Sequence, residues 1–77
     1  MSKPETTYFV DNEPQTTDQR DLTVRQILTN SGNDPETHYL VEIKGDHQVD
    51  HRNLDESLHI HENEKFAAIF TGTTPVS

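Results

Sequence analysis

The sequence predicts an α+β fold, a mixed sheet with a single helix lying across one face. Three observations predict it. Residues 21–32 carry helix start signals, a helical period and a stop signal together; β-branched and aromatic runs occur near both ends, at Thr6–Val10 and 65–71; and between them His38–Lys44 alternates with period two.

The helix comes first because the rest of the chain must supply what it lies on. Thr23 suits the N-cap, where its hydroxyl can accept from an unpaired amide of the first turn, and Gln26 can reach back to the cap amide, a capping box. Leu22 and Ile27 are spaced for a hydrophobic staple. Gly32 can take the left-handed conformation that closes a helix, and Pro35 prevents continuation. The helix therefore spans about 23–31 with its cap. So short a helix does not stand alone, since nucleation costs more than two turns of hydrogen bonds return. Its stripe Val24, Ile27 and Leu28 must lie on a sheet, leaving Arg25, Gln26, Thr29 and Asn30 to water.

In chain order, residues 1–5, with Pro4, read as a disordered lead-in. Thr6–Val10 is a strand, Asp11-Asn12-Glu13-Pro14 is turn chemistry, and polar 15–20 is a second strand paired to the first as a hairpin. After a loop at 33–37, His38–Lys44 places Tyr39, Val41 and Ile43 on one face and Leu40, Glu42 and Lys44 on the other. Gly45-Asp46 is a turn, 48–51 a short partner strand, 53–57 polar loop, and Leu58-His59-Ile60 a brief apolar alternation around which the chain turns. The run 65–71 is the last strand; its core of Phe66, Ala67, Ala68, Ile69 and Phe70 lacks clean alternation, as suits a central strand. Residues 73–77, with Pro75, form a short tail, so the domain is 6–72.

A hairpin, one helix, then further strands with an apolar last one fit a four- to five-stranded mixed sheet in which the last strand inserts beside the first. Parallel pairing of those two needs a long connection, and the helix with the middle strands supplies it. That architecture is the β-grasp.

Composition narrows the partners. Fourteen acidic and six basic residues give a net charge of −8. That excludes nucleic acid and anionic membrane surfaces, both of which need Lys and Arg, and makes a basic protein surface the natural counterpart. With no cysteine there is no disulfide, thiol nucleophile or thiolate metal site, which suits a cytoplasmic protein. No stretch approaches the roughly 20 apolar residues of a membrane span, and 1–7 lacks the apolar core of a signal peptide.

His47, His51, His59 and His61 raise a metal reading, but without cysteine or ligand spacing the expectation is no metal. Their expected effect is to reduce the negative charge as pH falls below about 6.5. No Gly-x-Ser-x-Gly elbow occurs, a one-helix sheet offers little concave volume, and Asp55-Glu56 and Glu62/Glu64 read as solvated charges. The expectation is no catalysis, no catalytic residue and no cofactor. Leu40 is different. With Tyr39, Val41 and Ile43 facing the helix, it points outward beside Glu42, and one set of the last strand, Phe66/Ala68/Phe70 or Ala67/Ile69, shares that face. The expected partner surface is Leu40, Glu42, Phe66, Ala68 and Phe70.

Tyr8-Phe9-Val10-Asp11-Asn12-Glu13-Pro14, Leu22-Thr23-Val24-Arg25-Gln26-Ile27-Leu28, Asp34-Pro35 leading into His38-Tyr39-Leu40-Val41-Glu42, Leu58-His59-Ile60-His61, and the end from Phe70 to Ser77 resemble bacterial ubiquitin-like domains of the multiubiquitin type. The resemblance runs from about Tyr8 onward and rests on pattern rather than one diagnostic motif. It implies a protein modifier or carrier in a pathway of activating-like and conjugating-like enzymes and a deconjugating metalloprotease, systems some of which act in phage defence. A modifier of this kind is adenylated on a C-terminal carboxylate, where thin glycines enter a narrow cleft. This chain has one glycine there, Gly72, and ends at Ser77 without Gly-Gly, so Gly72 and Ser77 are the two candidate conjugation points. The competing expectation is a non-conjugated β-grasp interaction or assembly module, which a concentration-dependent mass would reveal as self-association.

Overall fold

The computed structural model describes residues 5–71. Most of the expected lead-in, the tail, Gly72 and Ser77 lie outside the described residues. The fold is α+β: β1 (Thr6–Val10), β2 (Glu13–Thr17), β3 (Asp21–Thr23), α1 (Val24–Asn30), β4 (His38–Lys44), β5 (His47–His51), β6 (Ser57–His59) and β7 (Glu64–Phe70). Five strands make one mixed sheet in the order β2-β1-β7-β4-β5, and β3 and β6 make a separate two-stranded sheet.

The last strand does insert beside the first. It runs parallel to β1 in the register Tyr8↔Glu64, Phe9↔Lys65, Val10↔Phe66, and antiparallel to β4 with Leu40↔Ala68. With a strand on each side, β7 has no free backbone edge, and its apolar residues divide between the core side, Phe66 and Ala68, and the opposite face, Ala67 and Ile69, so the run lacks alternation.

The hairpin is tighter than expected, with β2 starting at Glu13 rather than Gln15. Asp11 and Asn12 both take positive φ, 53° and 69°, and Val10 pairs directly with Glu13. Two left-handed residues close a hairpin in the twist sense of the strands, and Asp and Asn tolerate that conformation better than most residues. Pro14 thus falls inside a strand, tolerated because β2 is a sheet edge. Asp11 also ties the turn to β7: its N–H donates to Phe66 O at 3.0 Å, and its carboxylate accepts from Ala68 N–H at 3.2 Å.

The helix ends follow the sequence closely. Gln26 N–H donates to Thr23 Oγ1 at 3.1 Å and Thr23 N–H to Gln26 Oε1 at 2.9 Å. At the other end Ser31 is the C-cap and Gly32 lies at φ 86°. Gly32 N–H donates to Thr29 O at 3.0 Å and Asn33 N–H to Leu28 O at 2.8 Å, the paired bonds of a Schellman motif. The first amides of α1 are answered from outside the helix: Val24 N–H donates to Glu56 O at 2.9 Å and Arg25 N–H to Leu54 O at 3.0 Å.

The β3/β6 sheet departs from the sequence expectation, in which 58–60 is a turning point and Leu22 lies in no strand. Leu22 pairs with Leu58, and both side chains enter the core. Strands of three residues are too short to show a period of their own, and each exists because the other is brought to it. The core unites Tyr8, Val10, Leu22, Val24, Ile27, Leu28, Leu40, Leu58, Ile60 and Phe66 between helix and sheet. Tyr8 and Phe66 meet edge to face, ring centroids 6.0 Å apart. Burial raises the Tyr8 phenol above its ordinary value, while a hydrogen bond to the Asn30 side chain opposes the rise.

Candidate functional site

Successive side chains of a strand point to opposite faces, so the register decides which residues share the side away from α1. Tyr39 pairs with Ile69, Val41 with Ala67, and Ile43 with Lys65, while Phe9 lies beside Lys65 from β1. None of these joins the core cluster. Together they lay an apolar strip, Phe9, Tyr39, Val41, Ile43, Ala67 and Ile69, across the three central strands on the open face.

The strip is sheltered at its centre and open at its rim. Val41, paired between Ala67 and Asp50, is 6% exposed although it lies outside the helix-side core, whereas Ile69 is 36% exposed. Arg52, just after β5, sits over Tyr39 with its guanidinium carbon 3.8 Å from the ring centroid, and pairs with Asp50 at 3.8 Å. With Lys65, those are the charged groups at the strip. In a chain of net charge −8 these are two cations and one anion, and the cations lie beside aromatic and aliphatic side chains.

This arrangement reverses the expected partner surface. Leu40 is fully buried and Phe66 nearly so, both in the helix-side core, with Ala68 packed against it. Glu42 is also on that side and only 8% exposed. Phe70 shares the helix-side phase but lies past the core, 47% exposed, with its ring edge-on to His38 at 5.5 Å. The alternative set in the last strand, Ala67 and Ile69, is the one on the open face. The phase of β4 misled because three apolar residues, Tyr39, Val41 and Ile43, oppose a single leucine, and a strand is normally read with its more apolar side inward. The bulk of Phe66 was the available signal, but using it requires the β4–β7 register, which is not a local property of either strand.

Glu42 is buried because it has partners. His51 Nε2 lies 3.1 Å from Glu42 Oε1, and His51 Nδ1 lies 3.1 Å from Glu56 Oε1. Lys44 Nζ is 3.6 Å from Glu42 Oε2, and Glu64 hydrogen-bonds to Glu42. Burial, reinforced by the hydrogen bond and charge of Glu42, pushes the Glu64 carboxyl up to about 7. Burial would raise Glu42 too, but hydrogen bonds from Glu64 and His51 and the Lys44 charge outweigh it and hold Glu42 below its ordinary value. Burial would lower His51, yet the bonds and charges of Glu56 and Glu42 raise it. Glu56 and Glu64 are thus not the simply solvated charges that the sequence suggests, and His51 is separated from the exposed His47, His59 and His61.

Among the described residues no group of His, Asp and Glu has metal-holding geometry; His59 instead pairs with Asp21 at 3.2 Å and stacks edge-on with His61 at 4.7 Å. Nor is any helix among them long and apolar enough to cross a membrane. No protein-family model matches the chain, and no curated protein and no solved structure matches it either.

Proposed function

We propose that this chain is a ubiquitin-like β-grasp protein of the cytoplasm that acts by protein–protein contact through the open sheet face rather than by catalysis. The observation that carries the reading is the last strand inserted between β1 and β4, parallel to the first and antiparallel to the second, with the helix on one side and an apolar strip on the other. A strip with a sheltered valine, exposed isoleucine and tyrosine–arginine rim has the make-up of a contact surface: apolar area to desolvate and a polar border to orient. In the pathway suggested by the sequence resemblance, an activating-like enzyme would adenylate the C-terminal carboxylate with release of pyrophosphate. A cysteine thiolate would then displace AMP to form a thioester, for a conjugating-like enzyme to receive and a metalloprotease to reverse after transfer.

One observation favours the second reading, a β-grasp module that is not conjugated. Thr71 N–H donates to Thr37 O at 2.9 Å, so the chain is tied to the sheet until one residue before Gly72. A carboxylate made at Gly72 would follow directly on that tie, with little reach.

Intact mass after incubation with purified ubiquitin-activating-type and conjugating-type enzymes and ATP tests the proposal, using the full chain, a chain ending at Gly72, and Ile69→Asp. A thioester adduct of the full chain that Ile69→Asp diminishes supports a modifier contacted through the open face. No adduct with either unaltered end, from enzymes active on another modifier, rejects it in favour of the non-conjugated module.

A further inference from the structure

The side chains Glu64, Glu42, His51 and Glu56 form a continuous chain of three hydrogen-bonded links from β7 through β4 and β5 to the loop before β6. Each link needs one hydrogen. An ionised carboxylate only accepts, and a neutral imidazole carries one N–H, so with all four groups at their lowest protonation one hydrogen serves three links. Closing all three takes an imidazolium, donating to both Glu42 and Glu56, and one further proton shared between Glu64 and Glu42. In that state the charges of His51 and Lys44 balance those of Glu42 and Glu56.

The groups facing this chain come from every element around it. Lys44 and its cross-strand partner His47 lie at the β4/β5 end of the same face. From β1, Tyr8 neighbours Glu64 in register but is bonded through its hydroxyl to Asn30 of α1. The His61 N–H donates to Glu64 Oε1 at 3.3 Å, and Glu62 is turned to Thr7 N–H. Arg25 and Asp55 pair with each other at the surface. Lys44 alone among them brings a nearby positive charge, and it lies on Glu42, so none replaces the two missing hydrogens.

The last link matters because of where Glu56 sits. Its carbonyl accepts from Val24 N–H and that of Leu54 from Arg25 N–H, so the loop holding the end of the chain also holds the first turn of α1. We propose that the Glu64–Glu42–His51–Glu56 chain is a proton-operated latch. Holding two protons, it fastens the 53–56 loop, and through it the start of α1, to the sheet; losing them leaves carboxylates facing each other and an imidazole able to serve only one of its neighbours, and the loop is released. The Glu64 carboxyl, pushed up to about 7, gives up its proton near neutrality, and His51, also raised, keeps its own beyond the ordinary imidazole range, so the release lies within reach of mild conditions.

Amide hydrogen exchange of the full chain at pH 5.8 and 8.2, expressed as protection factors to remove intrinsic base catalysis, tests the latch. Protection of the Val24 and Arg25 amides is expected to fall about tenfold more than that of Asn33 N–H at the opposite end of the same helix. In Glu64→Gln, whose amide donates to Glu42 at any pH, that difference is expected to shrink. Equal loss at both helix ends, or an undiminished difference in the variant, overturns the proposal. Should Glu64→Gln fail to fold, the imidazole titration of His51 in the unaltered chain decides by NMR: a midpoint above the ordinary 6.5 is required, and one at or below it overturns the latch.

Discussion

The two faces of the central strands carry different kinds of side chain, and the difference runs against intuition. On the open face β4 and β7 present Tyr39, Val41, Ile43, Ala67 and Ile69; on the helix side they present Leu40, Phe66 and Ala68, but also Glu42 and Glu64. Counted by residue type, the outward face is the more apolar. What sorts them is company. Leu40 and Phe66 meet Tyr8, Ile27 and Leu28, whereas the open strip meets no second layer among the described residues. The helix side can hold two carboxylates because α1 is only seven residues long and the sheet extends beyond its apolar stripe, where His51 and Lys44 answer them. A short helix thus produces one core with an apolar part and a hydrogen-bonded ionic part.

The comparison is broken most decisively by paired truncations. Phe66→Ala should cost about 3–5 kcal/mol, a large part of the stability of a domain this size, while Ile69→Ala, three residues on and on the other face, should cost less than about 1 kcal/mol. Urea denaturation midpoints measure both; similar losses would mean that the faces have been assigned wrongly.

The ionic part of the core should respond to pH while the apolar part does not. Glu64 is raised in the folded chain, so its contribution to stability is complete below about 4.5 and is lost as pH rises through about 7. His51 is also raised, so its contribution is present below 6.5 and is lost as pH climbs through its folded value. Glu42 is lowered, contributing above 4.5 and failing only as pH drops below it. The three together place maximal stability at mildly acid pH. The melting temperature should fall from pH 5.5 to pH 8 by about 5 °C, the shift that about 1 kcal/mol produces in a domain of this length. General repulsion in an acidic chain acts in the same direction, so the sharper comparison is Glu64→Gln, which should match the unaltered protein at pH 5.5 and exceed it at pH 8.

Helix capping provides a smaller effect, independent of either face. Thr23→Ala removes the acceptor for Gln26 N–H and should cost about 1 kcal/mol by the same denaturation assay. Smallest is Arg52→Ala, which removes the cation over Tyr39 at an exposed rim and should cost about 0.5 kcal/mol. If Arg52→Ala instead destabilises as much as Phe66→Ala, the open face is part of the core and is not available for contact.

Much of the fold was legible in the residues. Thr23, Gln26 and Gly32 mark the helix because capping and closure are local: each partner lies within a few residues of the other. The insertion of the last strand beside the first followed from the apolar run at 65–71 and the length of chain between them. The β3/β6 sheet was not legible, since Leu22 and Leu58 pair only after the helix and β4 have brought them together. Nor was the candidate site. Choosing between Leu40 and Val41 as the outward residue is a matter of phase, and a one-residue change of phase moves every side chain to the other face.

By itself the sequence determined where the helix begins and stops, the longer strands β1, β4 and β7, and a strongly acidic composition, because caps, turn residues, alternation and charge act over a few residues or by simple sum. Only the tertiary structure decided which face of β4 and β7 meets α1, and that Glu42, His51, Glu56 and Glu64 form one hydrogen-bonded chain. Those outcomes depend on strand register and on partners as far as 22 residues apart in sequence, as Glu42 is from Glu64, and it is the bonds to those partners that make a buried carboxylate less costly than an unpaired one.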